Sequence, residues 1–266
     1  MRSTLKHILN RAGLGQWLHS ALLNFSRLKY GAKNRQFKRS HPQLVLPPDE
    51  WLFETFALDY RKFREDGRLA AIEIHTWIKP YLPASHNRIL DWGCGVARIS
   101  RHLPELWPGQ QFHACDTNTG MIGWDKLHCP GISFSVIGHD PPTHFQAGQF
   151  HFIFGFSVLT HIDASAQWAW LAEMHRLLVP GGILLVTTHG CFFESKLTRN
   201  EKKYLSDNGS VSQHSAVRGH RMLATYNDAA AFRKMISAAF EVLEFFDGKS
   251  FPMRAGGQDW WLLKSC

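Results

Sequence analysis

The stretch RILDWGCGVARISRHL, residues 88–103, decides the fold. An apolar, strand-like run ends in Asp91, and Gly93 and Gly95 follow before a segment with helix-like apolar spacing. In a parallel sheet, such a junction lies at the carboxyl edge, where ligands bind. A dinucleotide fingerprint requires G-x-G-x-x-G, and its third glycine is replaced here by Arg98. A phosphate loop requires G-K-[ST], which is missing, and a hydrolase elbow requires Ser where Cys94 stands. Cys94 as a nucleophile would need a base and a depressed pKa, and the sequence shows neither. A carboxylate ahead of a glycine turn remains, and it suits a ligand that brings an ammonium group rather than a pyrophosphate.

Outward from this turn, RILDW, QFHACD, ISFSVI, FHFIFGF and GILLVTTH read as strands, with helices starting near Val96, Thr119, Asp163 and Asn227. That alternation predicts an α/β domain over 88–266, a parallel sheet with helices on both faces. EVLEFF and DWWLLK close the chain across a connection too short for a helical crossover, so they read as antiparallel. Ahead of the sheet, LPPDE places prolines and then acids before a helical cap over 49–87, with a break expected near Gly67.

At this point D-W-G-C-G resembles motif I of the class I S-adenosylmethionine-dependent methyltransferases, and the resemblance extends through most of residues 88–263. It implies a Rossmann-like fold: a mostly parallel sheet of about seven strands, the last antiparallel, behind an N-terminal helical extension. It also implies S-adenosyl-L-methionine as cofactor, held around the turn by Asp91, Gly93, Cys94, Gly95 and Arg98. The family's third small residue, typically Gly, is Ala97 here. Arg98 reads either as a partner for the cofactor or substrate carboxylate, or as an exposed residue of the first helical turn. Asp116 ends the second strand about 20 residues on, where the family has an acid for the ribose hydroxyls, with Thr117 beside it. Taken alone, Asp116 also admits the lesser reading of a strand-end helix cap. Met121 or Ile122 would flank the adenine, and Gly138 and His139 stand in the expected adenine strap, where Asp140 is not clearly aligned with the family's carboxylate.

FHFIFGFSVLTHI resembles the family's fourth strand and the loop beside the transfer centre, which places Phe156 and Ser157 at the cofactor and His161 near it. EMHRLLVPGGILLVTTHG resembles the helix, the Pro180-Gly181-Gly182 turn and the fifth strand, with His189 emerging at its end. The wider set LPP, GCGxxR, SVLTHI, TTHG and GQDWWLLK resembles small bacterial methyltransferases linked to surface-glycan or natural-product assembly. A neutral hydroxyl acceptor benefits from a general base, so His189 and then His161 are the catalytic candidates; each reads equally as a histidine that only hydrogen-bonds. Residues 190–226 interrupt the strand–helix rhythm and are expected to cap the substrate. They offer Phe192, Phe193, Tyr204, His214, Arg218, His220 and Tyr226, with LTRNEKKYL helical.

The charge of +8 is localised: residues 1–48 carry nine of the 30 basic residues and no acid, leaving 21 basic against 22 acidic in the rest. That first segment reads either as a basic amphipathic helix on an anionic membrane surface, through residues 1–40, or as a helix packed on the body and followed by a solvated linker. A transit peptide is a third reading. One helix or two is left open by Gly13 and Gly15. No apolar run approaches the roughly 20 residues that span a bilayer. Five scattered cysteines without C-x-x-C and 16 histidines without H-E-x-x-H predict a cytoplasmic protein with no metal site, with the inner membrane face as a peripheral location.

The expected activity is O-methylation of a sugar, glycan or small hydroxylated metabolite. An RNA or protein methyltransferase is the alternative, weakened for nucleic acid by the slightly acidic body and the missing N-P-P-Y-like tetrapeptide. A non-catalytic protein with this fold is the third reading, and the presence of both Asp91 and Asp116 argues against it. Oligomeric state is not legible.

Overall fold

The computed structural model describes residues 15–82, 87–213, 223–249 and 256–266. The chain opens with three helices, α1 (Gly15–Ser40), α2 (Asp49–Thr55) and α3 (Tyr60–Ile78). Strand β1 (Arg88–Trp92) leads through a short helix α4 (Leu103–Leu106) to β2 (Gln111–Asp116), α5 (Thr119–His128) and β3 (Ile132–Val136). Then come β4 (Phe150–Gly155), α6 (Ala164–Leu177), β5 (Leu178–Thr188), α7 (Arg199–Asn208), β6 (Ser210–Gln213) and β7 (Ala224–Asn227). The chain closes with α8 (Ala229–Ile236), β8 (Phe240–Phe246) and β9 (Asp259–Ser265).

The main sheet runs β3-β2-β1-β4-β5-β9-β8, parallel except that β9 lies antiparallel to both β5 and β8. This is the expected architecture. Its central strands are buried on both faces, as their nearly unbroken apolar runs require. On one face Leu90, Trp92, Ile153 and Leu184 pack with Trp170 and Leu171 of α6 and Phe232 of α8. On the other Ile89, Phe152, Phe154 and Leu185 pack with Ala70, Ile74 and Ile78 of α3. Each large aliphatic or Phe side chain so buried stabilises the fold by roughly 1.5–3 kcal/mol.

Four local expectations are corrected. The regular helix expected from Val96 is replaced by turns, a 3-10 turn at Ser100–His102 and the four-residue α4. Ala97 stands at φ 48, and Pro104 has no N–H to donate to Ser100, so a continuous helix cannot form there. Second, α3 passes unbroken through Gly67. A Cβ on Gly67 would lie 2.3 Å from the carbonyl oxygen of Arg98, so this glycine allows helix and turn to touch. The break falls earlier, where Asp59 caps α3 by accepting from the Lys62 amide. Third, the segment read as a basic linker continues α1 as helix to Ser40. Residues 1–14, and with them part of the membrane segment, lie outside the described residues. Fourth, residues 190–226 hold an unforeseen hairpin, β6 against β7, beside the expected α7.

The three opening helices share one apolar cluster with the sheet domain: Leu23, Phe37, Leu52, Phe53, Leu58 and Phe63 meet Val96 and Met121. Helix α1 also carries a second apolar row on its outer side, Trp17, Leu22, Phe25 and Leu28, all exposed.

Candidate active site

The carboxyl ends of β1 and β2 are tied together by backbone. The Gly93 and Cys94 amides both donate to the Cys115 carbonyl, at 2.8 and 3.0 Å. The Gly95 amide donates to Asp116 Oδ2 at 2.9 Å, and the Asn118 amide donates to its Oδ1 at 2.9 Å. Gly93 and Gly95 adopt φ 73 and 57, the left-handed region that L side chains avoid. Both are also covered: a Cβ on Gly93 would meet Val158 at 2.5 Å, and one on Gly95 would meet Thr55 at 2.7 Å. The helix-cap role open to Asp116 falls instead to Asn118, whose side chain accepts from the Met121 amide.

Asp91 sits under this turn, buried. Burial pushes its carboxyl up to about 7, against the lowering influence of the Ser100 hydroxyl; Asp116 adds a raising effect and Arg98 a lowering one. Arg98 is not the exposed residue of a first helical turn. Its guanidinium lies over the Phe56 ring, 4.4 Å from the centroid, and its Nη1 is buried without a hydrogen-bond partner. Burial lowers it to about 10. Cys94 is buried, and burial with nearby Asp91 and Asp116 raises its thiol well above the ordinary range, the opposite of an activated nucleophile.

Met121 and Ile122 are both buried, Thr117 is half-buried, and Gly138 and His139 are exposed just beyond Ile137, whose amide donates to the Asp116 carbonyl. Phe156 turns its ring edge-to-face onto Trp260, 4.8 Å away, and so belongs to the packing of the sheet. Ser157 closes the fourth-strand exit at φ 59, with its amide donating to Thr187 Oγ1 at 2.8 Å. Its neighbour Val158 is the residue that covers Gly93.

The two histidines share one neighbourhood, since His161 contributes to lowering the basicity of His189. They differ in surroundings. His189 packs at tilted angles against Phe193 and Tyr226, ring centroids 4.4 and 5.3 Å away, and burial lowers its pKa to about 3. His161 is exposed, and its Nδ1 donates to the Leu223 carbonyl at 2.9 Å, a bond that orients the ring. From the capping segment, Phe193 and Tyr226 are buried, whereas Phe192 and Tyr204 are exposed. His214, Arg218 and His220 lie outside the described residues.

Sequence reasoning missed the cover over the turn and the β9 side of the site. Thr55 lies on Gly95, and Trp51 approaches Gly120, where a Cβ would stand 3.0 Å from its ring. Gln258 donates to Ser157 Oγ at 2.6 Å. The LPPDEW helix start announced α2 but not the face it would cover, and a lone Gln before DWW carries no motif.

Residues 89–182 match the family model of a methyltransferase domain. The chain is 26% identical over 134 residues to a trans-aconitate 2-methyltransferase of Acidovorax sp. (strain JS42), covering 48% of this chain and 46% of that protein. It thus spans about half the length of the curated relatives it matches. A S-adenosylmethionine-dependent methyltransferase of Methanosarcina mazei superposes with a TM-score of 0.57 at 22% identity, over 71% of this chain and 96% of that one. A Burkholderia thailandensis 1,6-didemethyltoxoflavin-N1-methyltransferase, solved with S-adenosylhomocysteine and 1,6-didemethyltoxoflavin, gives 0.52 at 15%, over 76% and 79%. At such identities the likeness establishes the fold, which is the Rossmann-like fold of these methyltransferases.

Proposed function

We propose that this chain is a S-adenosylmethionine-dependent methyltransferase acting on an oxygen of a sugar, glycan or small hydroxylated metabolite. The observation that carries the reading is the convergence of Asp91, Arg98 and Asp116 on one glycine turn. A buried carboxyl beside a buried, unpartnered guanidinium nitrogen fits a zwitterionic amino-acid end: Asp91 for the ammonium, Arg98 Nη1 for the carboxylate. Asp116, held by two amides at the end of β2, still has lone pairs for two hydroxyls. Gly93, Cys94 and Gly95 supply the backbone floor; Thr117, Met121, Gly138 and His139 border the remainder. The methyltransferase domain match over 89–182 supports this assignment.

S-adenosylmethionine, when bound, supplies an already activated methyl group, so the chain's task is to position the acceptor and receive its proton. Of the two histidines, His161 suits proton acceptance better. Its ring is oriented by the Leu223 carbonyl and lies at the surface, whereas His189 is desolvated against two aromatic rings. His189 then serves as a neutral wall of the acceptor side. Titration calorimetry with S-adenosylhomocysteine tests the reading: micromolar binding is expected, and no heat in folded protein overturns it.

The relatives' names point to small molecules, trans-aconitate and 1,6-didemethyltoxoflavin, which favours a small acceptor over nucleic acid. The free cysteines fit a reducing cytoplasm, and no helix among the described residues is long and apolar enough to cross a membrane. A peripheral place on an anionic inner membrane face is favoured by the outer side of α1. Leu22, Phe25 and Leu28 recur every three residues, and Trp17 lies three turns before Leu28; Trp17, Phe25 and Leu28 face away from the packed Leu23 and Phe37. Lys29, Lys33, Arg35, Lys38 and Arg39 follow with no acid in the helix. Sedimentation with vesicles containing phosphatidylglycerol is expected to exceed that with phosphatidylcholine alone; equal partitioning removes the membrane reading.

A further inference from the structure

The donor side of the site is accounted for by the glycine turn, but one polar group across from it is not. Gln258 precedes β9, which runs antiparallel to β5 and therefore begins at the same carboxyl edge where β4 and β5 end. Only 8% of its surface is exposed. Its Nε2 donates to Ser157 Oγ at 2.6 Å, yet its Oε1 is buried and accepts no hydrogen bond. A buried carbonyl-type oxygen without a donor carries an uncompensated desolvation cost, and such atoms are rare in folded proteins.

Ser157 carries a second, independent irregularity. It is a non-glycine residue at φ 59, a strained conformation that persists where the surroundings enforce it. It is held by its amide on Thr187 Oγ1, by the Thr160 hydroxyl donating to its carbonyl at 2.5 Å, and by Gln258 on its own hydroxyl. Val158, the next residue, covers Gly93 of the donor turn. On the far side, Gly257 lies against the exposed Phe192, to whose ring a Cβ there would stand 2.4 Å. Gln258 thus links the donor turn to the capping segment.

We infer that the Ser157–Gln258 pair is the acceptor-binding element of this enzyme, and that Gln258 Oε1 receives a hydrogen bond from a neutral, hydroxyl-bearing acceptor. The inference rests on the methyl-transfer reading of the site. An O–H satisfies the buried oxygen directly. A carboxylate at the same oxygen sets lone pair against lone pair, so a polyol or glycoside is selected over a tricarboxylate such as trans-aconitate.

Saturation-transfer NMR with S-adenosylhomocysteine present tests it, with methyl α-D-glucopyranoside, myo-inositol and glycerol as neutral probes and trans-aconitate as the anionic one. At least one neutral probe is expected to bind the wild-type protein, and trans-aconitate is not. Gln258→Met should weaken that probe at least tenfold while S-adenosylhomocysteine affinity, read by calorimetry, stays within twofold. Gln258→Glu keeps an acceptor oxygen in either protonation state and should retain the probe within threefold, a rescue that a merely structural role would not show. No neutral binding, equal binding by Gln258→Met, or preferential binding of trans-aconitate overturns the inference. If S-adenosylhomocysteine gives no heat with the wild type, the methyl-donor reading fails instead, whatever the probes do. If Gln258→Met does not fold, Gln258→Glu decides alone: loss of the probe with cofactor affinity intact overturns the inference.

Discussion

The proposed donor and acceptor sides of this site meet at the same sheet edge but are built in different ways. The donor side is local: Asp91, Gly93, Gly95 and Arg98 fall within eight consecutive residues, and the Asp116 partner lies 21 residues from Gly95. The acceptor side is assembled from distant segments. Gln258 reaches Ser157 across 101 residues, and His161 reaches Leu223 across 62. A turn defined by backbone conformation can be specified by adjacent residues. A wall made of side chains from three strand ends has to await the packed sheet.

If that division is real, variants on the two sides should separate chemistry from cofactor affinity. The largest effect is expected for His161→Ala. Turnover of any acceptor that the wild-type protein methylates should fall about 10²–10⁴-fold, while S-adenosylhomocysteine affinity holds within about twofold. Unchanged turnover eliminates His161 as the base, and a parallel loss of cofactor affinity breaks the division itself.

Asp116→Ala tests the opposite side. It removes the acceptor of two backbone amides and the proposed ribose contact, so calorimetry should show cofactor affinity reduced about 100-fold. Weakening of less than about threefold would detach Asp116 from the donor site. The same experiment on the neutral acceptor probes should show little change.

The pH dependence is more modest and has a definite sign. A cationic ammonium favours ionised Asp91, whose carboxyl is pushed up to about 7 by burial in the cofactor-free protein. Below that pH, binding must expel a proton, so S-adenosylhomocysteine affinity should fall by up to about tenfold per unit on acidification, with proton release seen in buffers of different ionisation heat. A raised carboxyl favours folding when protonated. The cofactor-free protein therefore loses this contribution as pH rises from the ordinary carboxylate range through about 7, and the cofactor's stabilising effect grows across that window. A flat affinity profile from pH 6 to 8 would remove Asp91 as the ammonium partner.

The smallest effect concerns Ala97. It sits at φ 48 with its side chain fully buried, at the position where the resembled family typically has glycine. Ala97→Gly relieves the left-handed strain and should raise Tm by about 2 °C, a gain partly offset by the flexibility of glycine in the unfolded chain. A fall in Tm would show that the methyl group's packing outweighs the strain.

The main-sheet strands were legible in order and approximate extent, because apolar runs buried on both faces stand out, although β5 begins at Leu178 and runs through the Pro180-Gly181-Gly182 stretch expected as a turn. RILDW and QFHACD coincide with β1 and β2, and the short DGKSFPMRAGGQ connection implied the antiparallel pairing of β8 with β9. Legibility failed where one residue's effect depends on what touches it. Gly67 resembled a helix break because its contact with the Arg98 carbonyl belongs to another segment. The helix expected at Val96 failed through a backbone angle at Ala97 and a missing donor at Pro104. The β6–β7 hairpin escaped notice because its four-residue strands are too short for a periodic pattern.

Sequence alone determined the sheet, the glycine turn and the two acids beside it, since strand burial and backbone conformation are dictated by neighbouring residues. Only the tertiary structure decided the rest. It placed α2 over the turn through Thr55, it set the Arg98 guanidinium over Phe56 with one buried nitrogen unpartnered, and it distinguished a packed His189 from an exposed His161. Those features depend on desolvation and on contacts between distant segments, which exist only once the chain has closed on itself.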